Sequence, residues 1–297
     1  MKKILLSVIP LIIIVACSKP PTEEFRERQA KLLYKESLTL YEEGEYEDAI
    51  LKFKEVLKYI DYLAPEQIKE IKYKLALSYY RKEDYINAVI YLEDFIMYYP
   101  KAEETEYAYY ILVDSYYHIA PDAYRDQTYT KKAIEKAKEF IIKFPKSNYI
   151  NKVKAILDKA LMKIAKHQYL VAKFYEEYGY HYSAARRYKD LLINNYEYID
   201  EEEVAFRYIK NLFLTRRQAE GEIYKYMEMI EVVREKLKEE KEEKDKLNNR
   251  IKFLKGQIER WRRIYREAEE EAKEAMRKYL ELYGDNRYYK ELEKWKN

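Results

Sequence analysis

One pattern returns four times along this chain, and it limits the fold more than any other feature. In ESLTLYEEGEYEDAILKFKEVL it sets Ser37, Gly44, Tyr46, Ala49 and Phe53. In LALSYYRKEDYINAVIYLEDFIMYYP it sets Ala76, Tyr79, Tyr85, Ala88, Leu92 and Pro100. KKAIEKAKEFIIKFPKS keeps the second half only, with Ala133, Ala137, Phe140 and Pro145, while AKFYEEYGYHYSAARRYKDLLINNY carries Ala172, Tyr175, Gly179, Ala184 and Tyr188. Each full copy reads as two amphipathic helices with a small residue in each, which lets the pair approach closely. Gly44 and Gly179 suit the left-handed turn that ends a first helix. Pro100 and Pro145 stop the second helices. Equivalent alanines lie 39, 45 and 51 residues apart, so extra turns and loops separate the units. With only 5 glycines and 7 prolines in 297 residues, and 37% charged residues, long helices are favoured over strands. The expected fold class is all-α.

The N-terminus reads as an export signal. Lys2 and Lys3 precede an apolar run from Ile4 to Ala16, too short for a membrane span and ending in Ile14-Val15-Ala16-Cys17. This run resembles a bacterial lipobox, which implies cleavage before Cys17, acylation of its thiol and, with Ser18 rather than aspartate next, sorting to the outer membrane. Acyl chains contribute about 0.8 kcal/mol per buried methylene, enough for several chains to anchor a soluble body. Cys17 is the sole cysteine, so no disulfide framework exists. The domain expectation is a signal peptide at 1–16, a lipidated N-terminus and tether at 17–24, a repeat domain at 25–215 and a charged helical extension at 216–297.

The helix pairs resemble tetratricopeptide repeats, which implies a solenoid of about five pairs with a concave face. Between the helices of the third pair lies IAPDAYRDQTYTKKAI, longer and more polar than a usual hairpin loop. Its run Arg125, Asp126, Gln127 and Thr128 is similar to the loop carried at that place by the BamD family of outer-membrane protein assembly factors. Pro121 ends the preceding helix, Thr128 or Thr130 is positioned to cap the next, and Arg125 with Asp126 either clamps the loop against neighbouring helices, the favoured reading, or contacts a partner directly. The resemblance covers roughly residues 25 to 215 and the lipoprotein start. Departures are Gln168 in place of a usual glutamate, Tyr196 where a proline normally closes the fourth unit, and a fifth unit whose helix runs on past its turn.

Beyond the resemblance, Ile223, Met227, Ile230, Val233 and Leu237 form one apolar seam. Leu247, Ile251, Leu254, Ile258, Trp261, Tyr265, Ala268, Ala272, Ala275, Tyr279 and Leu282 form a second, with heptad spacing. A single helix through both would reach roughly 100 Å. The seams require cover from a helix of the same chain, from another chain or from the repeats. Between them runs the nearly all-charged KEEKEEKDKLNN, of which Lys238 to Lys246 reads equally as a solvated single helix or as a continuation of the seam.

Function is constrained mainly by exclusion. A net charge of +3 gives no electrostatic case for nucleic acid. His118, His167 and His181 stand 49 and 14 residues apart and form no ligand pair, so no metal or cofactor is expected. No phosphate loop or nucleophile elbow is present, and no catalytic residue is expected. By repeat register, Tyr34, Tyr41, Tyr73, Tyr80, Arg81, Tyr109 and Tyr116 line one side of the first helices. Such a surface is either helix packing or a groove for an extended peptide, with Arg81 receiving a carboxylate. The resemblance implies that the peptide is the C-terminal signal of an unfolded outer-membrane protein. It also implies that the later repeats, roughly Tyr182 to Leu214, dock the periplasmic domains of the barrel-forming assembly subunit, with membrane attachment through Cys17. A repeat and coiled-coil envelope factor for cell division or pilus secretin assembly remains the alternative.

Overall fold

A computed structural model describes residues 22–239 and 243–296. The expected signal peptide, Cys17 and most of the tether lie outside these residues. Among the described residues every regular element is helical. The order is α1 (Glu23–Glu43), α2 (Tyr46–Val56), α3 (Pro65–Arg81), α4 (Tyr85–Tyr98), α5 (Thr105–Ile119), α6 (Thr128–Lys143), α7 (Ile150–Glu177), α8 (His181–Asn194), α9 (Glu201–Glu239), α10 (Lys244–Tyr283) and α11 (Arg287–Trp295). The all-α expectation holds, with successive helices joined as hairpins and a C-terminal helical extension. Contacts divide the chain into one unit ending at Thr105 and another beginning at Glu106.

Three turns show why the first helix of a pair stops where it does. At Gly44 (φ 83°) its own N–H donates to Tyr41 O (3.2 Å) and the next N–H donates to Leu40 O (2.9 Å). Gly179 (φ 76°) repeats this with Glu176 O and Tyr175 O, at 3.0 and 2.9 Å. In the second repeat Glu83 holds the same register at φ 59°, donating to Tyr80 O at 3.0 Å, while Asp84 N–H reaches Tyr79 O at 3.0 Å. A side chain in that conformation costs roughly 1–2 kcal/mol, so the capping hydrogen bonds define this turn and glycine only eases it. Five residues on from each turn, Ala49, Ala88 and Ala184 are fully buried at the crossing of the two helices.

In the first unit, Ala30 and Leu33 on α1, Phe53 and Val56 on α2, Ile71 and Leu75 on α3 and Leu92 and Phe95 on α4 are buried. In the second unit, Val113 of α5 meets Ala137 and Phe140 of α6 and Val153 and Ile156 of α7. Helix α5 stops at Ile119, ahead of Pro121, and α6 stops at Lys143, ahead of Pro145.

Helix α9 runs through the boundary expected at residue 215. The two seams do not extend as one rod: α10 lies antiparallel to α9. Tyr279 near the end of α10 bonds Glu202 at the start of α9, Glu271 bonds Tyr208, and Leu254 and Ile258 pack on Ile230. The chain therefore covers its own seam. The register departs from strict heptads near the end, where Met276 is buried and Leu282 is 73% exposed. An α-helix has 3.6 residues per turn, so a seven-residue pattern drifts around it. After Gly284 (φ 74°), α11 folds back on α9, burying Leu292 and stacking Tyr288 on Phe206 at 4.6 Å.

Candidate peptide-binding and docking surfaces

The tyrosines singled out in the first unit are all partly exposed, and each is engaged by its own repeats. Tyr34 of α1 donates its hydroxyl to Glu70 of α3, and burial together with that bond pushes its pKa up to about 12. One turn further along, Lys74 Nζ sits 4.5 Å over the Tyr41 ring and 3.9 Å from Glu70. The Tyr41 ring meets Tyr46 edge-on at 5.7 Å. Tyr73 lies against Phe95 at 5.1 Å and Tyr80 against Tyr85 at 5.9 Å, both across the α3–α4 pair. Tyr34 and Tyr41 thus meet one side of α3, and Tyr73 and Tyr80 occupy another. Arg81 is exposed at the C-terminal end of α3, eleven residues after Glu70 and so on the same helix side as Glu70 and Lys74. Tyr109 and Tyr116 belong to the second unit. Lys143 Nζ lies 4.6 Å over Tyr109, and Tyr116 is 5% exposed, its ring centre 6.4 Å from that of Tyr129.

The loop between α5 and α6 is held differently from the expectation. Arg125 is exposed, and its guanidinium makes no ion pair among the described residues. The clamp is Gln127, only 3% exposed, whose Nε2 donates to Asp122 O and Arg125 O (both 2.9 Å) and whose Oε1 accepts from Thr130 Oγ1 (2.7 Å). The N-cap residue of α6 is Gln127 rather than Thr128 or Thr130, and Asp126 Oδ1, one residue earlier, accepts the Thr128 N–H at 2.9 Å. Hydrogen bonding from the Thr128 side chain, with that N–H bond adding to it, holds the Asp126 carboxyl below its ordinary range. Two side chains of α7 complete the clamp: Lys163 Nζ donates to Ala120 O (3.1 Å) and His167 Nδ1 to Ala123 O (2.8 Å). Burial of Lys163 lowers its pKa. The loop is therefore fixed by backbone carbonyls that accept from buried Gln127 and half-buried Lys163 and His167, which leaves Tyr124 (76% exposed) and Arg125 outward.

The proposed docking end, residues 182–214, is partly occupied by the chain itself. Tyr208 and Leu212 of α9 join Ala185, Tyr188 and Leu191 of α8 in a core that also contains Ala272 and Tyr279 of α10 and Leu292 of α11. Glu176 stands among the charges at this end. It accepts Tyr188 Oη at 2.7 Å and Arg207 Nη1 at 3.1 Å, while Arg207 Nε reaches Glu203 at 2.9 Å. Burial, with Glu176 close by, pushes the Tyr188 hydroxyl far up. What remains open is the outer face of α8, with Arg186, Arg187 and Ile193, and the turn before it. There Phe174, Tyr178 and Tyr180 are each at least half exposed. Phe174 and Tyr178 lie 4.4 Å apart, and Arg187 covers Tyr175 at 4.7 Å. Sequence reasoning passed over this aromatic patch because tyrosine is common throughout the chain. Its signal was the density of rings in FYEEYGYHY around a glycine turn. No helix among the described residues is long and apolar enough to cross a membrane.

The profile of the outer membrane lipoprotein family YfiO matches residues 26–226, and so ends inside α9. An Aquifex aeolicus protein that carries the provisional name outer membrane protein assembly factor BamD is 49% identical over 293 residues, covering 97% of this chain and 95% of that one. The outer membrane protein assembly factors BamD of Caulobacter vibrioides and Rickettsia prowazekii are each 23% identical over 65% of this chain, and over 63% and 76% of their own length. The match to the family thus spans the four hairpins and the loop, and the chain belongs to the BamD family of outer membrane lipoproteins.

Proposed function

We propose that this chain is a lipid-anchored periplasmic scaffold for outer-membrane protein assembly, in which the first unit receives substrate and the second docks an assembly subunit. The assembly role follows from the family, which is one of scaffolds and not of enzymes. The observation that carries the reading is the 49% identity to an assembly factor along nearly the whole chain. In the finer reading, Tyr34, Tyr41, Tyr73, Tyr80 and Arg81 offer rings and one cation to the aromatic C-terminal segment of an unfolded outer-membrane protein. An extended peptide gains from ring contacts along its length and from one charge-assisted bond at its carboxylate. The aromatic patch at Phe174, Tyr178 and Tyr180, with Arg187, has the character of a docking hot spot: large rings beside an arginine. Its partner in this reading is the periplasmic part of the barrel-forming subunit. An acylated Cys17 would hold the whole at the periplasmic face of the outer membrane.

Two measurements test this. Replacing Tyr41, Tyr73 and Tyr80 by alanine is expected to weaken binding of an aromatic-ended strand peptide by roughly tenfold or more. Unchanged affinity in a folded variant removes the groove. Purification of the acylated chain from solubilised outer membrane is expected to bring the barrel-forming subunit with it, and Tyr178→Ala with Arg187→Ala to release it. Recovery of cell-division or secretin components in its place would favour the alternative envelope role.

A further inference from the structure

The charge along α10 is sharply divided. Between Lys244 and Arg266 nine lysines and arginines face two acidic residues, Asp245 and Glu259. From Glu267 to Glu281 the balance reverses, to six acidic residues against three basic ones. The facing part of α9, Arg216 to Glu239, is neutral, with six of each sign. The positive charge therefore belongs to one half of one helix.

The acidic half is used within the fold, where Glu271 accepts from Lys189 and Tyr208. The basic half is not. Arg250, Lys252, Lys255, Arg260 and Arg263 are exposed, and none makes an ion pair among the described residues. The apolar side of this segment is already covered, since Leu254 and Ile258 are buried on Ile230. What faces outward over roughly 30 Å of helix is a field of cations. Phe253 lies among them, 53% exposed, with the Arg250 guanidinium 5.5 Å from its ring centre. Lys246 and Arg262 pair with Glu243 and Glu259, and the other seven cations make no ion pair among the described residues; they repel one another, so an anionic counterpart stabilises the arrangement.

The form of that counterpart follows from the shape and the compartment. A convex helix face without an enclosing wall fits an extended anionic plane better than a shaped protein knob. The N-terminus, read from the sequence as an export signal with a lipobox, points away from nucleic acid and toward a membrane. Arginine, which supplies five of the nine cations, pairs with phosphate through two bonds at once. An exposed aromatic ring among cations is the composition of a helix lying at a lipid headgroup layer. We infer that the outward face of α10 from Lys244 to Arg266 is a docking surface for anionic phospholipid headgroups. It lies wholly beyond the match to the family profile, which ends at residue 226, and it rests on the export-signal and lipobox part of the reading above but not on the assembly role.

The chain from Ser18 onward, unacylated, contains every described helix and the three buried clusters of the second unit, so it isolates this surface from the lipid anchor. It is expected to co-sediment with vesicles of phosphatidylcholine containing about 30% phosphatidylglycerol, and to leave pure phosphatidylcholine vesicles unbound. Raising salt from about 0.1 M to about 0.5 M should release it. The triple variant Lys255→Gln, Arg260→Gln, Arg263→Gln removes exposed charges only, and its unchanged helix content by circular dichroism checks that it folds. It should lose about 100-fold in partition to the anionic vesicles. The matched triple on α9, Arg217→Gln, Lys225→Gln, Lys236→Gln, removes the same charge from the same hairpin and should lose less than about tenfold. Equal binding to both vesicle types, no binding to either, or equal losses in the two triples would each overturn the inference. So would capture of an acidic protein by the α10 face without vesicle binding.

Discussion

The two halves of α10 do different work with the same secondary structure. Toward its C-terminal end, Ala268, Ala272, Met276 and Tyr279 sit in a core built from four other helices, α7, α8, α9 and α11. Toward its N-terminal end, Leu254 and Ile258 meet only α9, around Ile230. The docked half uses alanines, which allow close approach, and adds hydrogen bonds from Tyr208, Lys189 and Tyr279. The outlying half uses long aliphatic side chains to fill a two-helix seam and turns its cations to solvent. A two-layer seam buries less apolar surface per residue than a core closed on several sides. The outlying half should therefore open locally at lower free energy than the docked half.

The largest test of that difference is a pair of alanine substitutions. Tyr279 is 2% exposed and donates to Glu202 at 3.0 Å, so Tyr279→Ala should cost about 3–5 kcal/mol in denaturant unfolding of the second unit. Amide exchange should then accelerate through α8, α9 and α10 together. Leu254→Ala removes a similarly buried side chain, yet its effect should be confined to residues 223–258 in the same exchange measurement. Acceleration across α8 with Leu254→Ala would show that the hairpin is one cooperative body, and the comparison would fail.

Much of this division was legible in the sequence, because apolar spacing marked both seams and the turn at Gly179. The boundary between docked and outlying halves was not, since Ile258 and Ala268 obey the same spacing and differ only in what covers them. The loop shows the same limit at finer scale. Arg125, Asp126, Gln127 and Thr128 were marked together, but periodicity does not say which member of a polar run turns inward. The structure turns Gln127 in, because one amide supplies two donors and an acceptor to three nearby groups. The tyrosine stripe was read from register, and register places rings on a face without saying whether they pack or bind. Helix α11 went unread because nine residues past a glycine turn carry little periodic signal.

Alkaline unfolding separates the halves by a second route. Burial pushes Tyr169 and Tyr279 up to about 12, with Glu203 and Glu202 adding to the rise, and burial beside Glu271 drives Tyr208 higher still. A phenol whose pKa is raised on folding keeps its proton longer in the native state than in the unfolded chain. Its contribution is complete below about pH 10 and is lost as pH climbs from there toward 12. Thermal unfolding of the docked core should therefore fall steeply across that window. Tyr169→Phe and Tyr279→Phe together should flatten the slope, and an unchanged slope would remove these phenols as its cause.

The smallest test uses two glutamates on the same helix, twelve residues apart. Glu271 in the docked half accepts from Tyr208 at 2.6 Å and from Lys189. Burial alone would raise its carboxyl, but the bonds from Lys189 and Tyr208 outweigh burial and hold it below the ordinary range. Glu271→Gln keeps the shape and removes the charge, so it should cost about 1–2 kcal/mol at neutral pH. That cost should vanish as pH falls through the lowered pKa, where the native glutamate is protonated too. Glu259 in the outlying half pairs with Arg262 at 2.7 Å, with both side chains at least half exposed. An exposed pair of this kind contributes little, and Glu259→Gln should stay within about 0.5 kcal/mol at any pH. Equal costs at the two positions would mean that α9 and the repeats shelter the outlying seam as well as they shelter the docked one.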